Sequence, residues 1–285
     1  MSSKTQVDLG SLQVSERDAI SEAIEKDSVA FIGEIKIPRK TKKRVTATLV
    51  IIFAIVSGVA YAGPNESFSK SKKQLKTIYQ NHQTTFYCNC KYDYQDKSDM
   101  IDNSSCRYVP RKPNTRSKRI EWEHVVPAEN FGRQFACWRD GSPSCVKSNG
   151  KQYKGRMCCT KVSQDYRIMQ ADMHNLVPAI GELNGDRSNY RYDFELPKLK
   201  QYGACEFEVL FKERRARVKK DIRGNVARTY LYMNDRYGMK LSKQEQKKFN
   251  AWNNEDPVDA WESERNMRIQ KIQGNLNNYI KRRVL

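Results

Sequence analysis

All eight cysteines of this 285-residue chain lie on one side of a single apolar run, and that arrangement constrains the fold more than any other feature. Residues 45–62 carry no charge and end Ala60-Tyr61-Ala62-Gly63, while Arg39-Lys40-Thr41-Lys42-Lys43-Arg44 precedes them. A basic cluster, an apolar core and an A-x-A end make an export signal with cleavage after Ala62. An even cysteine count in the exported part implies a disulfide framework. Zinc is the rival use of cysteine, but Cys88-Asn89-Cys90 and Cys158-Cys159 are spaced too tightly for metal-binding pairs. Eight cysteines allow 105 pairings; Cys145 with Cys158, closing the loop 140–161, and Cys137 with Cys159 are the expectation, although the sequence alone does not select them.

The 38 residues before the basic cluster hold four basic and seven acidic side chains, and are expected to be a disordered extension. Signals usually begin near their basic cluster, so this leader leaves an alternative in which 39–62 is an uncleaved inner-membrane anchor. Eighteen apolar residues are at the short end for a spanning helix. From Gly63 onward there are 43 basic and 26 acidic residues, so most of the net charge of +19 belongs to the exported part. Such a charge favours a polyanionic partner through phosphate attraction and counterion release. No repeat or low-complexity linker interrupts residues 63–285, which are expected to form one α+β domain.

Helical spacing is predicted for 67–83, 166–175, 179–190, 222–237, 242–252 and 261–272, and a short helix for 129–138. Extended segments are predicted for 84–94, 119–126 and 205–218. The chain has only three histidines. One of them, His124, follows Glu123 in Arg119-Ile120-Glu121-Trp122-Glu123-His124-Val125-Val126-Pro127. A general base beside a metal-binding carboxylate is what phosphodiester hydrolysis needs. Successive strand residues point to opposite faces. Both side chains therefore reach one site only where the strand ends, as Pro127 suggests. Asn184 and Arg187, three apart on a predicted helix, share a face. With Glu123, Asn184 would give an oxygen-rich half-site suited to Mg²⁺. Arg156, beside the cysteine pair on a stiffened loop, could grip a phosphate in bidentate fashion. His174 reads as a buried structural histidine and His82 as a surface one.

Several long segments carry a resemblance to a known family. RIEWEHVVPAENFG (119–132), ADMHNLVPAIGELNGDRSNY (171–190), YGACE (202–206), RGNVARTYLYM (223–233), FNAWNNEDPVDAWE (249–262) and ERNMRIQKIQGN (264–275) resemble bacterial endonuclease I. That family comprises periplasmic or secreted non-specific nucleases with a ββα-metal, or His-Me finger, site. The resemblance spans roughly residues 66–280 and excludes the leader. It implies a single disulfide-stapled α+β domain holding that motif. Within it Glu123 and Asn184 would be the protein ligands of one Mg²⁺, His124 the general base, and Arg156 the arginine that stabilises the phosphate. DNA, with RNA as an open second substrate, would be the partner of a monomer in the periplasm or the medium.

Two positions depart from the family. Ser263 and Leu276 stand where many members have Cys and His, so the C-terminal helix is expected to be held by packing alone. The main rival class is a non-catalytic extracellular protein for DNA binding or uptake, which would share the basic charge and the disulfides. A disulfide-rich hydrolase of another substrate is more remote.

Overall fold

The computed structural model describes residues 64–93, 100–193 and 197–280. The expected extension (1–38) and signal or anchor (39–62) lie outside these residues. Among the described residues no helix is long and apolar enough to cross a membrane.

Two strands carry the centre of the fold. β3 (Ile120–His124) pairs antiparallel with β4 (Leu176–Ile180), in register from Ile120 opposite Ile180 to His124 opposite Leu176. In β3 the period-two alternation puts Ile120 and Trp122 on one face and Glu121 and Glu123 on the other. β4 is buried along its whole length. Helix α6 (Gly181–Arg187) follows it with no intervening loop. Gly181 permits this close turn, because a Cβ there would stand 2.7 Å from the Arg116 carbonyl oxygen.

The other elements surround this strand–strand–helix unit. α1 (Phe68–Ile78) begins at Ser67, whose side chain caps the Lys70 amide, and buries Leu75 and Ile78. β1 (Lys91–Tyr92) and β2 (Ile101–Asp102) form a short antiparallel ladder. Beyond β3 come α2 (Ala128–Gly132), α3 (Ala136–Arg139), α4 (Arg156–Val162) and α5 (Gln164–Ala171). After α6, β5 (Arg191–Tyr192) lies parallel to β7 (Arg215–Arg217), and β6 (Glu208–Leu210) pairs antiparallel with β7. α7 (Arg223–Tyr237), α8 (Lys243–Glu255) and α9 (Ala260–Gln273) close the domain. α8 and α9 start in capping boxes, Ser242 with Glu245 and Asp259 with Glu262. The expected α+β class, stapled by disulfides, is therefore what is found.

All eight cysteines are paired: Cys88–Cys205, Cys90–Cys106, Cys137–Cys159 and Cys145–Cys158. The two local pairings match expectation. The other two had no sequence signal, and Cys88–Cys205 spans 117 residues.

Four expectations are corrected. Residues 176–180 are a strand, so the predicted helix 179–190 shortens to 181–187. Residues 84–94 give only a two-residue strand. His82 is not a bare surface residue: its ring stacks on Trp261, centroids 4.0 Å apart. Nor is α9 held by packing alone. Glu262 forms a buried ion pair with Arg228, and Arg265 donates to the carbonyls of Met173 and Leu176. Those charge-assisted bonds fasten a helix that has no disulfide.

Candidate active site

β3 ends at His124, and two side chains make it end there. Asn175 brackets the exit: its amide nitrogen donates to Val126 O, and its Oδ1 accepts from Val126 N. Arg187, reaching back from α6, donates to the carbonyls of His124 and Val125 and to Glu123 Oε1 at 3.0 Å. The strand thus stops one residue after Glu123. His124 and Glu123 then line one cavity despite their adjacent positions. That is the condition the sequence posed.

Glu123 is buried, and its Oε1 also accepts from the Tyr87 hydroxyl at 3.0 Å. Its Oε2 has no hydrogen bond among the described residues. Burial pushes the carboxyl up to about 7, against the pull of Arg187 and Tyr87. Arg187 is fully buried, which alone would lower its pKa, but Tyr192, Glu123 and Tyr87 around it raise it above the ordinary value. It therefore stays charged.

His124 is also buried. Its Nε2 lies 2.9 Å from the Gln170 carbonyl oxygen. A carbonyl only accepts, so Nε2 carries the proton and Nδ1 keeps its lone pair. Burial, then the charge of Arg156, depresses the imidazole to about 3, so the ring is neutral at physiological pH. Phe68, the first residue of α1, packs on that ring at 5.0 Å between centroids. The Arg156 guanidinium lies 5.5 Å from the Phe68 centroid, so one phenyl ring touches both the imidazole and the arginine. Arg156 is the first residue of α4, not a loop residue, and follows Gly155 at a φ of 80°.

Asn184 sits on α6. Its Nδ2 donates to Glu121 Oε2 at 3.1 Å, which leaves Oδ1 without a hydrogen bond among the described residues. Arg116 holds Glu121 in turn, through Nε at 2.9 Å and Nη2 at 2.6 Å. Gly185 makes room for that arginine, because a Cβ there would stand 2.4 Å from Arg116 Nη1.

Glu123, His124, Arg156 and Asn184 all line one cavity of about 1220 Å³. The structure brings together every side chain the sequence singled out for chemistry. Lys72, Lys73 and Lys76 of α1 and Arg116, Lys118 and Arg119 before β3 line it too. Sequence reasoning missed Phe68, Tyr87, Glu121 and Gln170. Only Glu121 left a signal, since it shares the Glu123 face of an alternating strand. His174 is the buried structural residue expected, with Nε2 3.0 Å from Asn275 O.

No group of three His, Cys, Asp or Glu side chains able to hold a metal occurs among the described residues. Glu123 and Asn184 both line this cavity, and Glu123 Oε2 and Asn184 Oδ1, which hold no hydrogen bond among the described residues, are the oxygens that would hold a cation. So few hard oxygen donors fit Mg²⁺, which keeps several waters and takes one or two carboxylates, and do not fit a closed zinc site.

A neutral imidazole and an arginine in a cation-edged cleft are groups that a hydrolase of anionic esters would use. Residues 65–283 match the family described as Endonuclease I, and the chain belongs to that family and is an endonuclease. It is 45% identical over 229 residues to an extracellular deoxyribonuclease of Aeromonas hydrophila, covering 80% of this chain and 94% of that protein. A periplasmic deoxyribonuclease of the same species is also 45% identical, with 91% of it covered. Endonuclease-1 of Buchnera aphidicola subsp. Acyrthosiphon pisum is 40% identical over 215 residues, 75% of this chain and 80% of that protein.

Proposed function

We propose that this endonuclease cuts DNA without regard to sequence, as an exported monomer that uses one Mg²⁺ held by Glu123 and Asn184. The observation that carries the reading is the meeting of Glu123, His124, Arg156 and Asn184 in one basic cavity, with Nδ1 of His124 left free. β3, β4 and α6 would then be the ββα-metal motif. His124 takes a proton at Nδ1 from the water that attacks phosphorus. The Gln170 carbonyl holds the ring through Nε2 and stabilises the imidazolium that forms. Arg156 faces the charge that builds on the phosphoryl oxygens. Arg187 keeps Glu123 at the end of β3, and Glu121 keeps the Asn184 amide turned so that Oδ1 faces outward. Bound Mg²⁺ would neutralise charge on the phosphoryl and leaving oxygens. The products are oligonucleotides with 5′-phosphates.

The lysines and arginines of the cleft suit contact with the backbone, which carries no sequence information. Export to the periplasm or the medium, with cleavage after Ala62, is supported by the relatives' printed names and by a family match that begins at residue 65. RNA offers the same phosphates and is the second substrate to assay.

The test is supercoiled plasmid with Mg²⁺, with EDTA, and with Mg²⁺ restored. Cutting is expected only in the first and third, with 5′ ends that accept label only after phosphatase treatment. Undiminished cutting in EDTA would remove the cation from the reading. Binding should weaken linearly in the logarithm of salt concentration.

A further inference from the structure

The turn between β6 and β7 holds a second group of side chains that hydrolysis does not use. Phe211, at the start of that turn, is 38% exposed. The Arg111 guanidinium lies 4.6 Å from its ring centroid, and Tyr190 meets it edge-on at 6.4 Å. The Arg214 guanidinium lies 5.3 Å from the Tyr190 centroid. Guanidinium, ring, ring and guanidinium therefore follow one another along the surface.

This row is continuous with the catalytic cavity. Arg214 Nη2 donates to Asn189 Oδ1 at 2.8 Å, and Asn189 lines the cavity. Arg111 is fixed at the other end by a two-pronged bond to Asp186 of α6, at 3.0 and 2.7 Å. The row is thus built on the helix that carries Asn184. Exposed Arg191, Lys212 and Arg214 give the patch a positive balance against Glu213.

We propose that Phe211 and Tyr190, set between Arg111 and Arg214, form a stacking platform for unpaired bases of a strand that leaves the cleft past Asn189. The proposal rests on the nuclease reading and deepens it by naming a single-stranded subsite. Every base has a face that can stack on an aromatic ring or a guanidinium plane, whereas paired bases inside a duplex have both faces covered. Alternating charge and ring leaves little continuous apolar area, which suits a polyanion better than an apolar protein surface.

The test measures fluorescence anisotropy of the full chain in EDTA, so that nothing is cut. One ligand is an unpaired oligothymidine of about twelve nucleotides, within the usual range of such sites. The other is a blunt hairpin duplex. Phe211→Ala is expected to weaken the single strand about tenfold and leave the hairpin unchanged, and Phe211→Trp to restore it. Arg214→Ala, which does not touch the turn's ring packing on Arg111, should weaken the same ligand alone. Equal losses on both ligands, or no loss on the single strand in either alanine variant, would overturn the platform. A wild-type chain that binds neither ligand would instead refute the nuclease reading, and the platform with it.

Discussion

The β3–β4–α6 unit and the loop 137–159 both border the candidate active-site cavity, yet they are held by opposite means. The unit contains no cysteine. Arg187 ties α6 to the end of β3 and the residue after it through three hydrogen-bond acceptors, and Glu121 joins Asn184 of α6 to Arg116 of the segment before β3. The loop has little regular structure and is closed by Cys137–Cys159 and Cys145–Cys158. Side chains that must converge within ångströms sit on hydrogen-bonded strands and helix, where backbone geometry fixes them. The loop leads into α4, whose first residue is Arg156, and a covalent clip suffices where core area is scarce. The comparison teaches that the chemistry and the frame around it can fail separately.

The largest separation of the two should come from the base. His124→Ala is expected to slow plasmid cutting by about 10²–10⁴-fold. Duplex binding in EDTA should stay near wild type, while the urea midpoint should fall, because the variant leaves a cavity beside Phe68 and the Gln170 carbonyl without its donor. A variant that cuts at the wild-type rate would take the base role away from His124. Next in size is Arg187→Met. It strands the Glu123 carboxylate in the interior without its cation, a loss of about 3–5 kcal/mol where a buried pair is broken. Urea unfolding would measure it. A loss below about 1 kcal/mol would mean that packing, not the pair, holds the end of β3.

Legibility in the sequence follows the range of the physics. His124 beside Glu123, and Asn184 three before Arg187, were visible because strand alternation and helix spacing are local rules. Loop length did not decide which disulfides were foreseen, since Cys90–Cys106 spans 16 residues and was missed while Cys137–Cys159 spans 22 and was expected. β4 was not: Leu176-Val177-Pro178-Ala179-Ile180 is a continuous apolar run, which periodicity cannot distinguish from a buried helix. Nor was the reach of Arg187. Its spacing marked it, but its bonds to residues 62–64 positions earlier depend on tertiary packing. Phe68 read as one apolar residue of an amphipathic helix, and only the fold sets its ring against His124 and Arg156. The departure at Ser263 pointed to packing alone, because the buried pair of Glu262 with Arg228 joins two helices that the sequence does not relate.

A smaller effect would sharpen the contrast from the side of the loop. Replacing Cys137 and Cys159 together by serine should lower stability by about 3 kcal/mol, the loop-closure value for a ring of this length. Mg²⁺ affinity, measured calorimetrically, should not change, because no disulfide crosses the unit that carries Glu123 and Asn184. Cutting should slow in proportion to the freedom gained by Arg156. A fall in Mg²⁺ affinity would show that the loop also braces the cation site.

The last effect, confined to acid pH, concerns a histidine of the frame. Burial, more than any charge nearby, lowers His174 to about 4. Its Nε2 proton is committed to the Asn275 carbonyl, and its Nδ1 is buried with no partner among the described residues. A second proton would be a buried donor without an acceptor. The unfolded chain takes up that proton below about pH 6.5, whereas the folded chain resists until about 4. Stability from this ring is therefore complete above the unfolded value and is lost as pH falls toward the folded one, with a slope approaching about 1.4 kcal/mol per pH unit. His124 adds a loss of the same sign, while the raised carboxyl of Glu123 acts in the opposite direction. The difference between wild type and His174→Gln isolates the contribution, since glutamine can still donate to the Asn275 carbonyl but does not titrate. Parallel urea midpoints for the two proteins across that pH range would mean that His174 is solvated rather than sealed between Tyr232 and α9.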